Sequence, residues 1–134
     1  DPSGNLQGVV YFVDIDTNQR TAFWGFYARP EAGRGTGLRI LFEALDYAFA
    51  ELEIKKLSAE VLADNTASER LHRKVGFVEE GRFRGQHFDG EGRVDIVRLG
   101  MLADEWSDHR PRLVERLAEL DRLANTPPSR NTQS

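Results

Sequence analysis

Apolar residues follow two spacings along the chain, one typical of β-strands and the other of amphipathic helices. Residues 6–15 and 21–28 are rich in Val, Tyr and Phe, and the polar residues between them favour a turn. This pattern predicts an antiparallel hairpin. From residue 38 the spacing becomes helical, with one apolar stripe at positions 38, 41, 42, 45, 49 and 52. A glycine-dense loop, residues 30–37, therefore leads into the amino terminus of a helix.

The middle of the chain predicts a short strand followed by a short helix. Residues 57–62 have strand composition, and residues 64–66 offer three helix-capping side chains in a row. The sequence that starts at Thr66 has the spacing of a capping box, and Gly76 stands where a left-handed C-cap glycine is expected. We therefore predict a helix over 66–75.

The remaining residues predict a second hairpin and a final helix. Two strand-like runs, 77–84 and 94–99, flank turn residues at 89–92. Residues 110–124 carry Leu and Ala on one stripe between charged residues, which predicts an amphipathic helix. Residues 127–134 contain no apolar side chain, so we expect a disordered tail.

The order of these elements predicts an α+β (mixed α/β) fold. A strand, helix and strand within residues 21–62 can place two strands in parallel through a crossover. The 134 residues allow one hydrophobic core. We expect a core domain over residues 1–106, a carboxy-terminal helix over 107–126 and the tail over 127–134.

The amino-acid composition narrows the range of partners and reactive sites that the protein can have. The net charge of −4 argues against a nucleic-acid partner, and the absence of cysteine excludes disulfides, thiolate metal sites and thiol nucleophiles. His72, His87 and His109 lack the spacing of metal ligands, so we predict no metal. No apolar run approaches the roughly 20 residues that cross a bilayer, so we expect no membrane association and a cytoplasmic protein.

The glycine-dense loop is a candidate phosphate site. Gly33, Gly35 and Gly37 let the backbone turn tightly, with Arg34 and Thr36 between them. Unpaired N–H groups and the positive end of the helix dipole converge at such a helix start, and both favour phosphate. A tight turn without a ligand is the alternative. The loop has neither Walker nor G-x-G-x-x-G spacing, which tells against a dinucleotide site.

The order of elements over about residues 6–106 resembles the acyl-CoA-binding part of the GNAT acetyltransferase family. The loop at 32–37 matches the family pattern except at Ala32, where the family has Arg or Gln. The block formed by residues 60–65 and 71–77 is similar to the family's strand, Asn, helix and Gly-Phe turn in residue type and spacing.

The resemblance implies the GNAT acyl-CoA N-acyltransferase fold, with a central mixed sheet and helices on both faces. It also implies acetyl-CoA as cosubstrate. Backbone groups of the second strand are expected to pair with the pantetheine arm, loop amides to bind the pyrophosphate, and an asparagine amide to contact CoA. The implied CoA-binding residues are Phe26, Tyr27, Ala28, Arg34, Gly35, Thr36, Gly37 and Asn65.

Glu60 and His72 are the candidate catalytic residues. An acidic residue within a short apolar strand either faces water or lines a cleft. Family members commonly place a carboxylate general base at the position of Glu60 and a tyrosine acid at the position of His72. Histidine can donate a proton at neutral pH, although a structural role beside the apolar stripe is the alternative. Direct transfer of acetyl to an amine is the implied reaction.

Within the family, the sequence looks most like the N-acetyltransferases of the pseudaminic acid pathway, which contribute to flagellin glycosylation. These acetylate the 4-amino group of UDP-4-amino-4,6-dideoxy-N-acetyl-β-L-altrosamine, a UDP-linked amino sugar. The residues that carry this likeness are 23–27, 44–49, 56–62, 71–77 and 79–82. Ribosomal-protein N-terminal acetyltransferases are the rival branch, because residues 80–82 and 105–106 are similar to their ending.

Two departures from the pattern, Ala32 and His72, support a second hypothesis, a CoA-binding module without transfer activity.

Family members usually begin with a strand and two helices ahead of the first hairpin, and these amino-terminal elements have no counterpart here. The chain starts at Asp1, so we expect a fragment. The leucine stripe of the final helix fits packing on its own domain or on a second copy, as in a homodimer.

Overall fold

A computed structural model of the chain describes residues 8–28 and 35–125. The order of elements in these ranges confirms the predicted succession of strands and helices. They are β1 (Gly8–Asp16), β2 (Thr21–Ala28), α1 (Thr36–Asp46), β3 (Lys56–Leu62), α2 (Thr66–Val75), β4 (Val78–Phe88), β5 (Arg93–Leu102) and α3 (Ala103–Asn125). One π-helical turn, Tyr47–Glu51, continues α1.

The strands form one sheet in the order β1-β2-β3-β5-β4. The pair β2 and β3, which α1 connects, is parallel, and the other neighbouring pairs are antiparallel. The mixed sheet, its parallel pair and both hairpins agree with the sequence prediction.

The hydrophobic core lies on one face of this sheet. Trp24, Ala59 and Leu99 are register partners across β2, β3 and β5, and all three are buried. Leu41 of α1 and Leu113 of α3 are fully buried in the same core. Alternate strand residues point to the other face, since side chains alternate along a strand. In residues 8–28 and 35–125 the buried apolar residues of α1, α2 and α3 belong to this one core.

The carboxy-terminal helix α3 begins at Ala103, seven residues before the predicted start at Arg110. The Ala103 N–H donates to the Lys55 carbonyl, and the Glu105 carboxylate accepts from the Leu102 N–H. Pro111 therefore lies inside the helix, and the boundary expected at residue 106 falls within it. The predicted tail, 127–134, lies outside the described residues. No helix in the described part of the chain is both long and apolar enough to cross a bilayer.

Asp46, at the end of α1, holds α3 in place. Its carboxylate accepts two hydrogen bonds from the Arg110 guanidinium, at 2.8 and 2.7 Å, and one from the Trp106 indole at 3.1 Å. The hydrogen bonds from Arg110 hold the pKa of Asp46 below its ordinary value. The first turns of α3 are therefore tied to the end of α1 by these hydrogen bonds and by the charges of Asp46 and Arg110.

The ends of α2 are fixed by Asn65 and Gly76. The Asn65 side chain accepts a hydrogen bond from the Ser68 N–H at 3.1 Å, so Asn65 is the N-cap and the capping box expected at Thr66 does not form. Gly76 has a φ of 118°, which confirms the predicted C-cap. A Cβ there would lie 2.4 Å from the His109 ring, so glycine is required for α3 to pack.

The packing of α3 predicts unequal effects at two neighbouring positions. Leu113→Ala should lower the free energy of unfolding by about 2–5 kcal/mol, because it leaves a cavity in the core. Val114→Ala is the matched control, since Val114 is 43% exposed, and should change it by about 0.5 kcal/mol or less. Urea denaturation measures both values. Equal losses would contradict the placement of α3 on the core.

Candidate active site

The parallel strands β2 and β3 part near the middle of the sheet. Their register runs from Thr21 opposite Lys56 to Trp24 opposite Ala59 and ends there. A cavity of about 390 Å³ opens where the strands separate. Its lining includes Tyr11, Trp24, Gly25, Phe26, Glu60, Asn65, Ser68 and His72. The structure thus brings both predicted catalytic residues and two of the predicted CoA-binding residues to one cavity.

Glu60 lies in β3 between the buried residues Ala59 and Val61. Its side chain is 38% exposed, and one carboxylate oxygen lies 3.5 Å from the Arg98 guanidinium. Glu60 therefore faces water and lines the cavity at the same time, which reconciles the two alternatives drawn from the sequence. A partly solvated carboxylate at a cavity wall can accept a proton from a ligand directly or through one water.

His72 lies on the core side of the cavity, where it is 2% exposed. Its Nε2 is 3.1 Å from the Trp24 indole nitrogen, and its Nδ1 is 2.8 Å from the Ser68 carbonyl oxygen. An indole N–H can only donate, so Nε2 accepts and Nδ1 carries the proton that the carbonyl accepts. These bonds fix one neutral tautomer of the imidazole.

The environment of His72 favours the structural alternative over proton donation. Burial lowers the pKa of His72 below its ordinary value of 6.5, and the hydrogen bond to Ser68 opposes this shift. The ring packs against Trp24, Phe26 and Phe77 at centroid distances of 5.9, 6.2 and 5.0 Å. Its one N–H proton in the neutral form is directed at the Ser68 carbonyl and not into the cavity.

A groove continues from this cavity along α2. A second cavity, of about 290 Å³, shares Phe26 and Asn65 with the first and adds Tyr27 and Leu71. Asn65 uses its side-chain oxygen to cap α2, so its amide N–H₂ is the part left for a ligand. Ala28, the last residue of β2, follows Tyr27 in the chain.

The groove leads to the amino terminus of α1. A third cavity, of about 330 Å³, shares Leu71 with the second and includes Gly35 and Gly37. Gly35 is the N-cap of α1 with a φ of 83°, Thr36 is the first helical residue, and no side chain of the described residues caps this end. The prediction that the glycine loop enters a helix is confirmed. Arg34 lies outside the described residues.

Tyr11 is a cavity residue that the sequence analysis missed. A Cβ at Gly25 would lie 2.1 Å from the Tyr11 ring, so only glycine lets this ring lie across β2. A glycine in the middle of a strand was the available signal. Within residues 8–28 and 35–125, no group of three His, Asp or Glu side chains is arranged to hold a metal ion.

Comparisons with known proteins agree on one family. The family model "Acetyltransferase (GNAT) domain" matches residues 1–78. The spermidine N(1)-acetyltransferase of Vibrio cholerae serotype O1 is 30% identical over 107 residues, which cover 79% of this chain and 62% of that protein. The acetyltransferase PseH of Campylobacter jejuni is 34% identical over 71 residues, which cover 53% of this chain and 43% of that protein.

A solved structure is similar over most of this chain. Mutant forms of the spermidine/spermine N-acetyltransferase SpeG from Vibrio cholerae match with a TM-score of 0.75 and 29% identity, over 81% of this chain and 66% of that one. The chain therefore spans less than two thirds of the length of each of these relatives.

The buried His72 predicts a pH dependence of stability. The unfolded chain binds a proton near pH 6.5, whereas the native state binds it only at lower pH. The free energy of unfolding should therefore fall as the pH drops from about 7 towards 5, and this fall should be smaller in His72→Gln. Urea denaturation across this range measures both slopes, and equal slopes in the two proteins would contradict the assignment.

Proposed function

The chain belongs to the GNAT acetyltransferase family, and we propose that it transfers acetyl from acetyl-CoA to a primary amine. Its five-stranded mixed sheet with helices has the acyltransferase fold of that family. The observation that carries the proposal is the groove formed by three cavities, each of which shares lining residues with the next, from Glu60 through the gap between β2 and β3 to the amino terminus of α1.

The groove supports one orientation of acetyl-CoA. The pyrophosphate lies at the amino terminus of α1, where uncapped amides and the helix dipole favour an anion. Lys74 and Arg116 line the same end of the groove and add positive charge. The pantetheine arm then extends along Phe26, Tyr27 and Ala28, within reach of the Asn65 amide, and the thioester arrives at the gap. In this arrangement Arg34 also belongs to the pyrophosphate loop.

The reaction needs a base, a hydrogen-bond donor that stabilises the oxyanion, and a proton for the leaving thiolate. Glu60 accepts the proton of the acceptor ammonium, directly or through a water, and the free amine attacks the thioester carbonyl. Backbone N–H groups of Tyr27 and Ala28 stabilise the oxyanion. The new C–N bond is already formed in this tetrahedral oxyanion. As the C–S bond breaks, the attacking nitrogen loses its second proton to solvent, and CoA leaves as a thiolate that takes up a proton from solvent. His72 keeps its proton on Nδ1, which donates to the Ser68 carbonyl, and acts by holding Trp24 in place.

The acceptor is a small amine, and two classes stand out. Spermidine is the first candidate, since the spermidine acetyltransferase match covers 79% of this chain. The UDP-linked 4-amino sugar is the second, because the PseH match covers 53% of it at 34% identity. A solved structure of the spermidine N-acetyltransferase from Vibrio cholerae is dodecameric, and this supports self-association of the present protein.

An acceptor panel tests the proposed activity. Acetyl-CoA mixed with spermidine should release free CoA thiol, measured with a thiol reagent, faster than with the UDP-amino sugar or with a ribosomal-protein amino-terminal peptide. Release only with the sugar or the peptide would reassign the acceptor. Tight CoA binding by calorimetry without release from any amine would instead support the binding-module alternative.

Replacement of the proposed base gives a second prediction. Glu60→Gln should lower the rate at pH 7 by about 100-fold or more while leaving the KM for acetyl-CoA unchanged, because a positioned base contributes about this factor. Glu43→Gln, the same change on the exposed face of α1, is the control and should keep the parent rate. Steady-state kinetics measures both, and a Glu60→Gln rate within a few-fold of the parent would exclude this base.

A further inference from the structure

Arg98 lies beside the proposed base on the strand that adjoins it. Glu60 in β3 and Arg98 in β5 are register partners, so both project from the same face of the sheet. The Arg98 side chain is 29% exposed, and its Nη1 lies 3.5 Å from the Glu60 carboxylate. A cation thus stands next to the one carboxylate of the cavity wall.

An aromatic ring fixes the position of this guanidinium. Its central carbon lies 4.4 Å from the centroid of the Phe23 ring, which belongs to β2. Arg98 therefore reaches from β5 towards β2, across the strand that carries Glu60. Cation–π stacking of this kind restricts the plane of the guanidinium and leaves its edge for hydrogen bonding.

The buried part of Arg98 is poorly satisfied. Its Nε is shielded from solvent and has no hydrogen-bond partner among the described residues. A buried donor without a partner lowers stability, so this arrangement is not optimal for folding alone. Departures of this kind are expected at functional sites, where side-chain placement serves chemistry.

We propose that Arg98, held by Phe23, is the positioning residue for Glu60, a role that rests on the proposed function. Arginine remains protonated in proteins, so it cannot compete with Glu60 for the proton of the acceptor. Its charge attracts one carboxylate oxygen and leaves the other free to face the acceptor. Arg98 itself gains and loses no proton during the reaction.

Kinetics of Arg98 variants test this role. Arg98→Gln should lower kcat about 10-fold or more with an unchanged KM for acetyl-CoA, since a misplaced catalytic group is costly and the donor groove is untouched. Arg98→Lys should recover part of the loss, and Phe23→Leu should lose a smaller part. In the Glu60→Gln background, Arg98→Gln should add nothing, because residues that act as a unit are not additive.

A second arginine provides the control. Arg82 in β4 forms a pair with Asp95 at a comparable distance, 3.6 Å, although its side chain is more exposed than that of Arg98, at 42% against 29%. Arg82→Gln should leave kcat within about twofold of the parent. An Arg98→Gln loss of equal size in both Glu60 backgrounds, or an equal loss in Arg82→Gln, would overturn the proposal.

Stability provides a readout that needs no turnover. The unfolding equilibrium constants of Glu60→Gln, Arg98→Gln and the double variant should show a coupling of about 1.5- to 5-fold, as expected for a partly exposed ion pair. Absence of coupling would overturn the contact and with it the positioning role. Coupling without acetyl transfer to any amine would support the ion pair and contradict the proposed function.

Discussion

The hydrogen bond from the Trp24 indole to the His72 imidazole joins β2 to α2 at the point where the parallel strands part. Both side chains are buried, so a missing partner on either would leave an unsatisfied polar group in the core. The bond therefore fixes how far α2 stands from the sheet. The width of the gap that receives a ligand depends on that distance, and so does the wall that Phe26 and Asn65 provide.

The two faces of the sheet have different roles in the proposed site. The core face holds the aromatic cluster around His72, whereas the opposite face holds Glu60 and Arg98, which are partly solvated. A general base has to exchange protons with solvent and substrate, whereas a structural histidine has to keep one protonation state. The alternation of side chains along β3 achieves this separation, since Ala59 and Glu60 point to opposite faces.

Sequence alone predicted the elements that depend on local chemistry. Gly76 was recognised as a C-cap, and the glycine loop was recognised as a helix start, because both conformations need glycine locally. The start of α3 at Ala103 was missed, since the Lys55 carbonyl that receives its first N–H lies 48 residues earlier in the chain. The pair of Glu60 and Arg98 depends on strand register, which spacing along the chain does not reveal.

The departure from the family's tyrosine at position 72 has a physical reading in this fold. A tyrosine hydroxyl that accepts from the Trp24 indole can still donate its own proton into the cavity. The neutral imidazole of His72 instead has one acceptor nitrogen, which receives the Trp24 indole N–H, and one N–H, which donates to the Ser68 carbonyl. Burial opposes the second proton that would turn this ring into an acid. Of Glu60 and His72, only Glu60 therefore takes up a proton in the proposed reaction, so the rate depends on where its carboxylate is held.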